Sequence, residues 1–232
     1  HKLDSQFGME AVTENELGEQ DHEVMVCAEA KTAGSIIMYL GNDLEGDILE
    51  VGAGSGSFTR SISEVASHLV SVEPSRKFFN DLAKKMDSIN NAESFCGTLS
   101  DFVASAGAGG VPRKFDRVMY THVLEHIRDD ISELKLAKQQ LRRNGKAIVV
   151  VPSMPRLYGS VDSLSGHQRR FTFNELKALA ELSGFEVESI RYFNPIAIAP
   201  YWFLYRIIGV KSVGSGQLGL YDRFFVPLAY KM

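Results

Sequence analysis

The sequence predicts an α/β protein with a doubly wound, mostly parallel β-sheet that carries helices on both faces. From residue 47 onward, short apolar segments of strand length alternate with longer segments of helical periodicity. The first apolar segment, residues 48–52, runs directly into a turn with glycines at alternate positions, Gly52, Gly54 and Gly56. Such a turn at the carboxyl end of a buried strand brings bare backbone close to a ligand.

The alternation defines the core elements in order along the chain. The predicted strands span residues 48–52, 69–73, 92–96, 115–121 and 146–151, and the predicted helices span residues 56–66, 75–88, 99–105 and 129–142. Arg142 and Arg143 are expected at the end of the last of these helices, where cations suit the helix dipole. Asn144 and Gly145 then form a turn.

The second half of the chain departs from this repetition. A long loop, residues 153–170, leaves the carboxyl edge of the sheet, and loops in that place usually carry function. Thr172 and Glu175 form a capping box that begins a helix running to residue 184, with Leu182 among its inward residues. Residues 185–190 alternate as a half-buried strand.

The terminal segments are apolar in places but lack the regular repeat. Helical segments before residue 41 are predicted from the spacing of Val24, Cys27, Ala28, Ile36, Ile37 and Leu40. The apolar segment 196–208 is predicted as a helix over a substrate mouth or in a homodimer contact, with a membrane surface or a lipid-linked substrate as the alternative. Residues 224–230 are a candidate last strand, although Pro227 removes a ladder donor.

Composition limits the classes of function. The 232 residues are 44% hydrophobic with a net charge of −4, which fits one domain with extensions. Arginines and lysines form no broad basic patch, so a nucleic-acid partner is not expected and a small-molecule partner is favoured.

The two cysteines and the N-terminal sequence indicate the cellular compartment of the protein. Cys27 and Cys96 have no His or Cys neighbours at ligand spacing, so neither a metal site nor a disulfide is predicted, and both are expected to be buried thiols in a reducing cytoplasm. We find no signal peptide and no apolar run long enough to span a bilayer. The chain begins with His1 rather than Met, so we expect its natural start to differ.

Three motifs occur together at the predicted sheet edge. The first is the run from Glu50 through the glycine turn, which reads Gly-x-Gly-x-Gly and not the dinucleotide pattern Gly-x-Gly-x-x-Gly. The second is Glu73 at the end of a strand, 21 residues after Gly52, and the third is the segment 115–127 with its His-Val-Leu-Glu-His-Ile ending. Over residues 46–194, these motifs resemble the class I S-adenosylmethionine-dependent methyltransferases.

The resemblance implies a Rossmann-like core over residues 46–194, an N-terminal helical extension over the cofactor in residues 1–45, and a C-terminal lid or dimer contact in residues 195–232. It implies that the amides of Gly52, Ala53 and Gly54 face the methionine part of S-adenosylmethionine and that Glu73 binds the ribose. The implied cofactor residues are Glu50, Gly52, Ala53, Gly54, Gly56, Glu73, Pro74, Ser75, Thr98, Leu99, Thr121, His122 and Leu124.

One position departs from the family pattern. The acidic residue that usually borders adenine is not clearly present, and Thr98 or Asp101 is the substitute that the sequence offers.

The acceptor side is predicted from a second local resemblance. The segment 166–172 is similar to a His-x-Arg-Arg-Phe/Tyr-Thr stretch of a bacterial small-molecule or sugar-type subgroup. His167 and His126 are therefore the candidate bases, because imidazole titrates near neutrality. The candidate substrate-binding residues are Tyr158, Arg170, Tyr201 and Trp202. The alternative is structural, with His167 and Arg170 pinning the loop to the following helix.

The predicted function is O- or N-methylation of a small-molecule acceptor, such as a sugar, a glycolipid or a natural-product intermediate. Two alternatives belong to other classes. One is a catalytically silent, cofactor-binding partner subunit, and the other is a nicotinamide-dependent oxidoreductase, which the glycine spacing disfavours.

Overall fold

A seven-stranded parallel sheet organises the chain. The structure, a computed structural model, describes residues 23–28, 40, 44–107 and 113–192. Its strands are β1 Glu23–Ala28, β2 Asp47–Val51, β3 His68–Glu73, β4 Ala92–Cys96, β5 Phe115–Thr121, β6 Leu141–Val151 and β7 Glu186–Tyr192. They lie in the order β4-β3-β2-β5-β6-β1-β7, and every neighbouring pair is parallel. The predicted fold class is confirmed.

The helices follow the strands in the predicted alternation. They are α1 Thr59–Ser63, α2 Arg76–Met86, α3 Leu99–Gly107, α4 Asp130–Gln140, α5 Ser160–Leu164 and α6 Phe173–Leu182, and two short 3₁₀ turns span Leu124–His126 and Pro155–Leu157. The first helix is shorter than predicted, because residues 56–58 belong to the glycine turn. Among the helices of the described ranges, none is long and apolar enough to cross a bilayer.

The core lies on both faces of the sheet because successive strand residues point in opposite directions. In β2, Leu49 joins the larger cluster, which includes Leu134 of α4 and Leu176 of α6. Its neighbour Ile48 joins the cluster on the other face, with Ile62 of α1. This double burial explains the continuous apolar run of residues 147–151 in β6, which alternates between the same two clusters.

The strand order places a topological switch point between β2 and β5. From β2 the chain proceeds outward through β3 to β4, and it then returns to β5 on the other side of β2. The carboxyl ends of β2 and β5 therefore meet, with the loops that follow them side by side. Ligands of doubly wound sheets bind at this point.

The prediction for residues 23–28 is wrong. We expected Val24, Cys27 and Ala28 in a helix, but they lie in β1, which pairs with β6 on one side and β7 on the other. A short apolar segment has no decisive period, and here the open edge of β6 offers its backbone hydrogen bonds to a strand. The remainder of the predicted helical extension lies outside the described residues, except Leu40, Leu44 and Glu45. Residues 195–232, with Tyr201 and Trp202, also lie outside them.

Arg142 and Arg143 are not at a helix end. Helix α4 stops at Gln140, and both arginines lie in β6. Arg142 donates to Asp47 at 2.7 Å and contacts Asp116, so it joins the amino ends of β2 and β5. The hydrogen bond to Asp47, followed by the charges of both carboxylates, raises the pKa of Arg142.

Two side chains differ from their predicted burial, and one motif is confirmed. Leu182 is 64% exposed because it is the last residue of α6 and points away from the core. Cys96 is exposed at the end of the edge strand β4, so it is not a buried thiol. Thr172 and Glu175 form the predicted capping box at the start of α6.

Candidate active site

A cavity of about 620 Å³ lies at the carboxyl end of the sheet, at the switch point. We call it the main cleft. The predicted cofactor residues that line it are Gly52, Gly54, Glu73, Pro74, Ser75, Thr98, Leu99 and His122. A smaller adjoining cavity of about 200 Å³ is lined by Glu50, Ala53, Thr121, Ser55, Ser57 and Phe58, and it shares Gly52, Gly54 and His122 with the cleft. Residues from four strand ends therefore meet around one space.

Gly54 is the position where the turn opens toward this space. Its φ is +58°, and a Cβ built there meets no atom within 4 Å. Gly52 is different, because a Cβ at that position would lie 2.5 Å from the side chain of Val123. Close packing thus requires the glycine at 52, whereas the bare backbone at 54 leaves room for a ligand.

The amides of the turn are engaged within the protein. Gly52 N and Ala53 N both donate to the carbonyl oxygen of Val72, at 2.8 and 3.1 Å. Gly54 N donates to Glu73 Oε2 at 2.8 Å. All three amides therefore have partners within the protein, and their position facing the methionine part of the cofactor stays a prediction. These hydrogen bonds tie the turn to β3. The turn therefore lets a ligand approach the backbone at Gly54 closely, but its first three amides are not free donors.

Glu73 is held at the edge of the main cleft by two backbone amides. Ser75 N donates to its Oε1 at 2.7 Å, and Gly54 N donates to its Oε2. The residue is 5% exposed. A carboxylate oxygen accepts more than one hydrogen bond, so both oxygens retain acceptor capacity. The two amides therefore fix the orientation of the carboxylate.

Glu50 is a buried carboxyl in the wall of the smaller cavity. The parallel register pairs it with Ser71, whose hydroxyl donates to its Oε2 at 2.7 Å, and Thr59 of α1 donates to the same oxygen at 2.7 Å. Burial raises the pKa of Glu50 despite these two donors, and the charge of Glu73 adds to the rise.

Two residues at the end of β5 show features typical of a binding site. Thr121 Oγ1 is buried in the wall of the smaller cavity without a hydrogen-bond partner among the described residues. His122 has a φ of +56°, an uncommon conformation for a residue with a side chain. It lines both cavities, and its amide donates to Val150 O at 2.8 Å.

Three predicted or alternative cofactor residues are not among the lining residues of either cavity. Gly56 donates its amide to Ala53 O, and a Cβ there would meet Leu82 at 3.0 Å. Leu124 is completely buried in the larger core cluster. Asp101 accepts hydrogen bonds from the amide and the hydroxyl of Thr98, at 2.9 and 2.7 Å, and so caps α3.

Two helical residues that line the main cleft were not predicted from the sequence. Phe78 of α2, 48% exposed, and Glu133 of α4 both line it. Tyr120, fully buried, donates to Glu133 Oε1 at 3.0 Å. Burial raises the pKa of Glu133, and burial together with the Glu133 charge raises the pKa of Tyr120 well above its usual value. Neither cleft residue belongs to a sequence motif. Both lie inside helices, where the sequence shows only helical periodicity.

Only one of the two candidate bases lines the main cleft. His126 lines the main cleft, whereas His167 is not among its lining residues. The two rings contact each other edge to face, with centroids 4.9 Å apart. His126 therefore has access to a bound molecule, and His167 stands behind it.

Asp162 organises the loop behind the cleft. Its Oδ1 accepts from His167 Nδ1 at 3.0 Å and from Arg170 Nε at 2.8 Å, and its Oδ2 accepts from Gly159 N at 2.9 Å. Burial alone would raise the pKa of Asp162, but these hydrogen bonds together lower it. Tyr158 donates its hydroxyl to the carbonyl oxygen of His167 at 2.7 Å. His167 and Arg170 both contact Asp162 within this loop, the pair of residues named in the structural alternative, and Tyr158 adds a further contact. None of the three lines the main cleft.

With this geometry, comparison with known proteins identifies the family. Residues 28–190, more than half of the 232-residue chain, match the family described as methyltransferase domain. The chain belongs to this family, and the resemblance to class I S-adenosylmethionine-dependent methyltransferases is confirmed. S-adenosylmethionine is the cofactor of this class.

Individual relatives are similar over only part of their length. An uncharacterised methyltransferase of Bacillus mycoides is 28% identical over 105 residues, which cover 44% of this chain and 45% of that protein. A methyltransferase of Bacillus anthracis is also 28% identical over 105 residues, with the same 44% and 45% coverage. The chain spans about half the length of the curated relatives it matches.

Solved structures share the fold at low sequence identity. An S-adenosylmethionine-dependent methyltransferase from Mesorhizobium loti has a TM-score of 0.57 and 16% identity, over 73% of this chain and 90% of that one. A Leishmania major S-adenosylmethionine-dependent methyltransferase has a TM-score of 0.53 and 15% identity, over 68% and 62%. The DhpI structure, a complex with SAH, has a TM-score of 0.50 and 19% identity, over 66% and 74%.

Proposed function

We propose that the main cleft and the smaller cavity together bind S-adenosylmethionine and that the protein transfers its methyl group to a small-molecule acceptor. One observation carries the proposal: Gly54 faces open space at the junction of the two cavities, beside the oriented carboxylate of Glu73. A side chain at this position would fill the space that a cofactor needs.

Each part of the proposed cofactor has matching groups in the walls. Glu73 suits the ribose hydroxyls, because its two oxygens are fixed by amides and remain acceptors. The smaller cavity suits the methionine part, where Thr121 Oγ1 is a buried polar atom without a partner in the described chain. Leu99 and Thr98 border the space proposed for adenine. Bound there, the sulfonium supplies an electrophilic methyl group.

The acceptor is proposed to meet the methyl group near the wall formed by His122, His126 and Ile127. Holding two reactants in line supplies about 7–11 kcal/mol of the rate enhancement in well-oriented systems, so the walls act chiefly by positioning. His126 is the better placed of the two candidate bases because it lines the cleft. Sugars, glycolipids and natural-product intermediates, methylated on oxygen or nitrogen, remain the predicted acceptors. A cytoplasmic location, a homodimer and a lipid-linked substrate also stay predictions.

A titration with two cofactors tests the proposal. Calorimetry should detect S-adenosylmethionine binding and no comparable binding of a nicotinamide dinucleotide. Gly54→Asn should abolish S-adenosylmethionine binding, because asparagine tolerates a left-handed φ while its side chain fills the cleft. Gly184→Asn is the matched control, since Gly184 has a φ of +83° and its neighbour is the flexible end of Lys138.

The outcomes of this titration separate the alternatives. Preferential binding of the nicotinamide cofactor would favour the oxidoreductase reading, and normal S-adenosylmethionine binding by Gly54→Asn would place the site elsewhere. Release of S-adenosylhomocysteine across a panel of hydroxyl and amine acceptors then measures turnover. Cofactor binding without release from any acceptor favours the catalytically silent partner subunit.

A further inference from the structure

We propose that Glu125, His126 and His167 bind a divalent transition-metal ion at the acceptor side of the main cleft. One potential ligand atom from each of the three lies within 4.8 Å of the others. Glu125 and His126 belong to the turn after β5, whereas His167 comes from the loop after β6, so the fold brings together residues 41 and 42 positions apart. We call this group the Glu125 cluster.

Glu125 provides the first argument. Its side chain is 0% exposed, and neither carboxylate oxygen has a hydrogen-bond partner among the described residues. Two histidine nitrogens lie within ion-pair range of Oε1, His122 Nδ1 at 3.4 Å and His167 Nε2 at 3.8 Å. The first is an ion pair only when His122 is protonated, and the second distance is too long for a hydrogen bond. Burying a carboxylate without such partners is costly, so a cation beside it would relieve a real penalty.

The tautomers of the two histidines provide the second argument. His126 Nδ1 lies 3.1 Å from the carbonyl oxygen of Gly166, which only accepts, so this nitrogen carries the proton. His167 Nδ1 lies 3.0 Å from Asp162, a carboxylate that Arg170 also contacts, so it too is the donor. Each neutral ring then has its lone pair on Nε2.

This arrangement is the one that metal-binding histidines adopt. Their second ring nitrogen almost always donates to a carboxylate or a backbone carbonyl, which fixes the tautomer and the ring orientation. In the Glu125 cluster, one histidine has a carbonyl partner and the other has a carboxylate partner. Both orienting contacts exist in the protein chain without any ion.

The loop that carries His167 is already fastened to the turn that carries Glu125. Gln168 N donates to the carbonyl oxygen of Glu125 at 2.9 Å, and Gln168 Nε2 donates to the carbonyl oxygen of His126 at 2.7 Å. Tyr158 holds the carbonyl oxygen of His167 from the other side. An ion would therefore bind between preorganised segments and would not have to assemble them.

The spacing and chemistry of the ligands indicate the class of ion. Metal–ligand bonds of about 2.0–2.2 Å place neighbouring ligands of a tetrahedron roughly 3.4 Å apart. The 3.8 Å between His167 Nε2 and Glu125 Oε1 thus needs a contraction of about 0.4 Å, and a pair at the 4.8 Å limit of the cluster needs one of about 1.4 Å. Two imidazoles and one carboxylate suit Zn²⁺, Mn²⁺, Fe²⁺ or Co²⁺, whereas Mg²⁺ and Ca²⁺ prefer oxygen ligands.

Three protein ligands leave a coordination position for another molecule, as in catalytic zinc sites. Because His126 lines the main cleft, this position is on the acceptor side. An oxygen of the acceptor suits it, an assignment that rests on the proposed function, whereas ion binding itself does not. While the ion is bound, the Nε2 lone pairs of His126 and His167 are used as ligands, so neither histidine acts as the base.

Metal titration of the full chain tests the site directly. Chelator-treated protein is titrated with Zn²⁺ by calorimetry and with Co²⁺ by visible absorption, without cofactor or acceptor. We expect one ion per chain and no competition from Mg²⁺. Glu125→Gln and His167→Gln should each weaken Co²⁺ binding at least tenfold, because each removes a ligand. His68→Gln is the matched control, since His68 pairs with Glu93 at 2.8 Å at the amino end of β3.

Thermal unfolding of the same proteins distinguishes an ion site from an internal ion pair. Without metal, Glu125→Gln should match or exceed the wild-type Tm, since it removes a buried charge, and it should lose the Tm rise that Co²⁺ causes in the wild type. Absence of one-to-one binding in the wild type, or unchanged Co²⁺ affinity in both variants, would overturn the proposal. So would a lower metal-free Tm of Glu125→Gln together with wild-type Co²⁺ affinity. Cofactor titration of the metal-free wild type tests the proposed function separately.

Discussion

Glu73 illustrates how one carboxylate serves both the fold and the proposed ligand. Its two oxygens accept amide hydrogen bonds from Gly54 and Ser75, which close the glycine turn against β3. The same residue lines the main cleft. A substitution there should therefore change the shape of the turn as well as the proposed contact with ribose, and the choice of variant decides which effect is measured.

We expect Glu73→Gln to weaken S-adenosylmethionine binding by about tenfold or more, since each hydrogen bond to a charged group contributes about 1.5–3 kcal/mol. Glutamine keeps one carbonyl oxygen for an amide of the turn, so the variant should remain folded. Calorimetry measures the affinity, and circular dichroism verifies the fold. Glu64→Gln, on the exposed end of α1, is the control. An unchanged dissociation constant for Glu73→Gln would remove this residue from the site.

At the scale of elements, α6 shows a local motif that acts independently of the cleft. Thr172 accepts from Glu175 N at 3.2 Å, and Glu175 accepts from Thr172 N at 2.7 Å, so two otherwise unpaired donors are satisfied. The side chain of Thr172 and then its amide lower the pKa of Glu175. The inward face of α6 packs Leu176 and Leu179 into the larger core cluster.

Thr172→Ala should lower the free energy of unfolding by about 1 kcal/mol, the usual effect of removing an N-cap. The pKa of Glu175 is depressed in the folded state, so its contribution is present above the ordinary value of 4.5 and is lost as the pH falls through the folded pKa. The difference between the two proteins should therefore shrink in acid. Denaturant unfolding at neutral and acidic pH measures this.

Thr172→Ser keeps the hydroxyl group and serves as the control for this experiment. It should retain most of the wild-type stability. Equal stability of Thr172→Ala and the wild type at neutral pH would contradict the energetic role of the capping box.

At the scale of the whole molecule, the strand order concentrates binding groups at one edge of the sheet. The ends of β2, β3, β4 and β5 all contribute to the main cleft, and the loop after β6 reaches the same edge through the Glu125 cluster. At the opposite edge, where the strands begin, Arg142 forms ion pairs with Asp47 of β2 and Asp116 of β5. The proposed binding groups and the ion pairs that join β2 to β5 thus lie at opposite edges of the sheet.

S-adenosylmethionine should raise the Tm of the whole molecule. A ligand that binds only the folded state stabilises it by about 2.7 kcal/mol at a concentration of 100 times its Kd. For a chain of this length, roughly 2–4 °C per kcal/mol gives a rise of about 5–11 °C. Differential scanning fluorimetry measures the shift, which should be absent in Gly54→Asn and present in Gly184→Asn. A full shift in Gly54→Asn would contradict the proposed site.

The sequence by itself determined the alternation of strands and helices, the glycine turn, the position of Glu73 at the end of a strand, and the capping box. Each of these features depends on residues close together in the chain. Hydrophobic periodicity and turn chemistry are local properties. Even here, the length of the helix after the turn was overestimated, since periodicity does not mark where the turn ends.

Only the tertiary structure decided the features that depend on distant partners. Residues 23–28 form a strand because the edge of β6 provides backbone hydrogen-bonding partners. Arg142 lies in β6 and not at a helix end, and Asp47 and Asp116 lie beside it. The amides of Gly52 and Ala53 donate to Val72 O of the neighbouring strand, and the amide of Gly54 donates to the carboxylate of Glu73. The Glu125 cluster was not predicted because His167 joins Glu125 only through the folded loop, and sequence spacing shows no proximity across 42 residues.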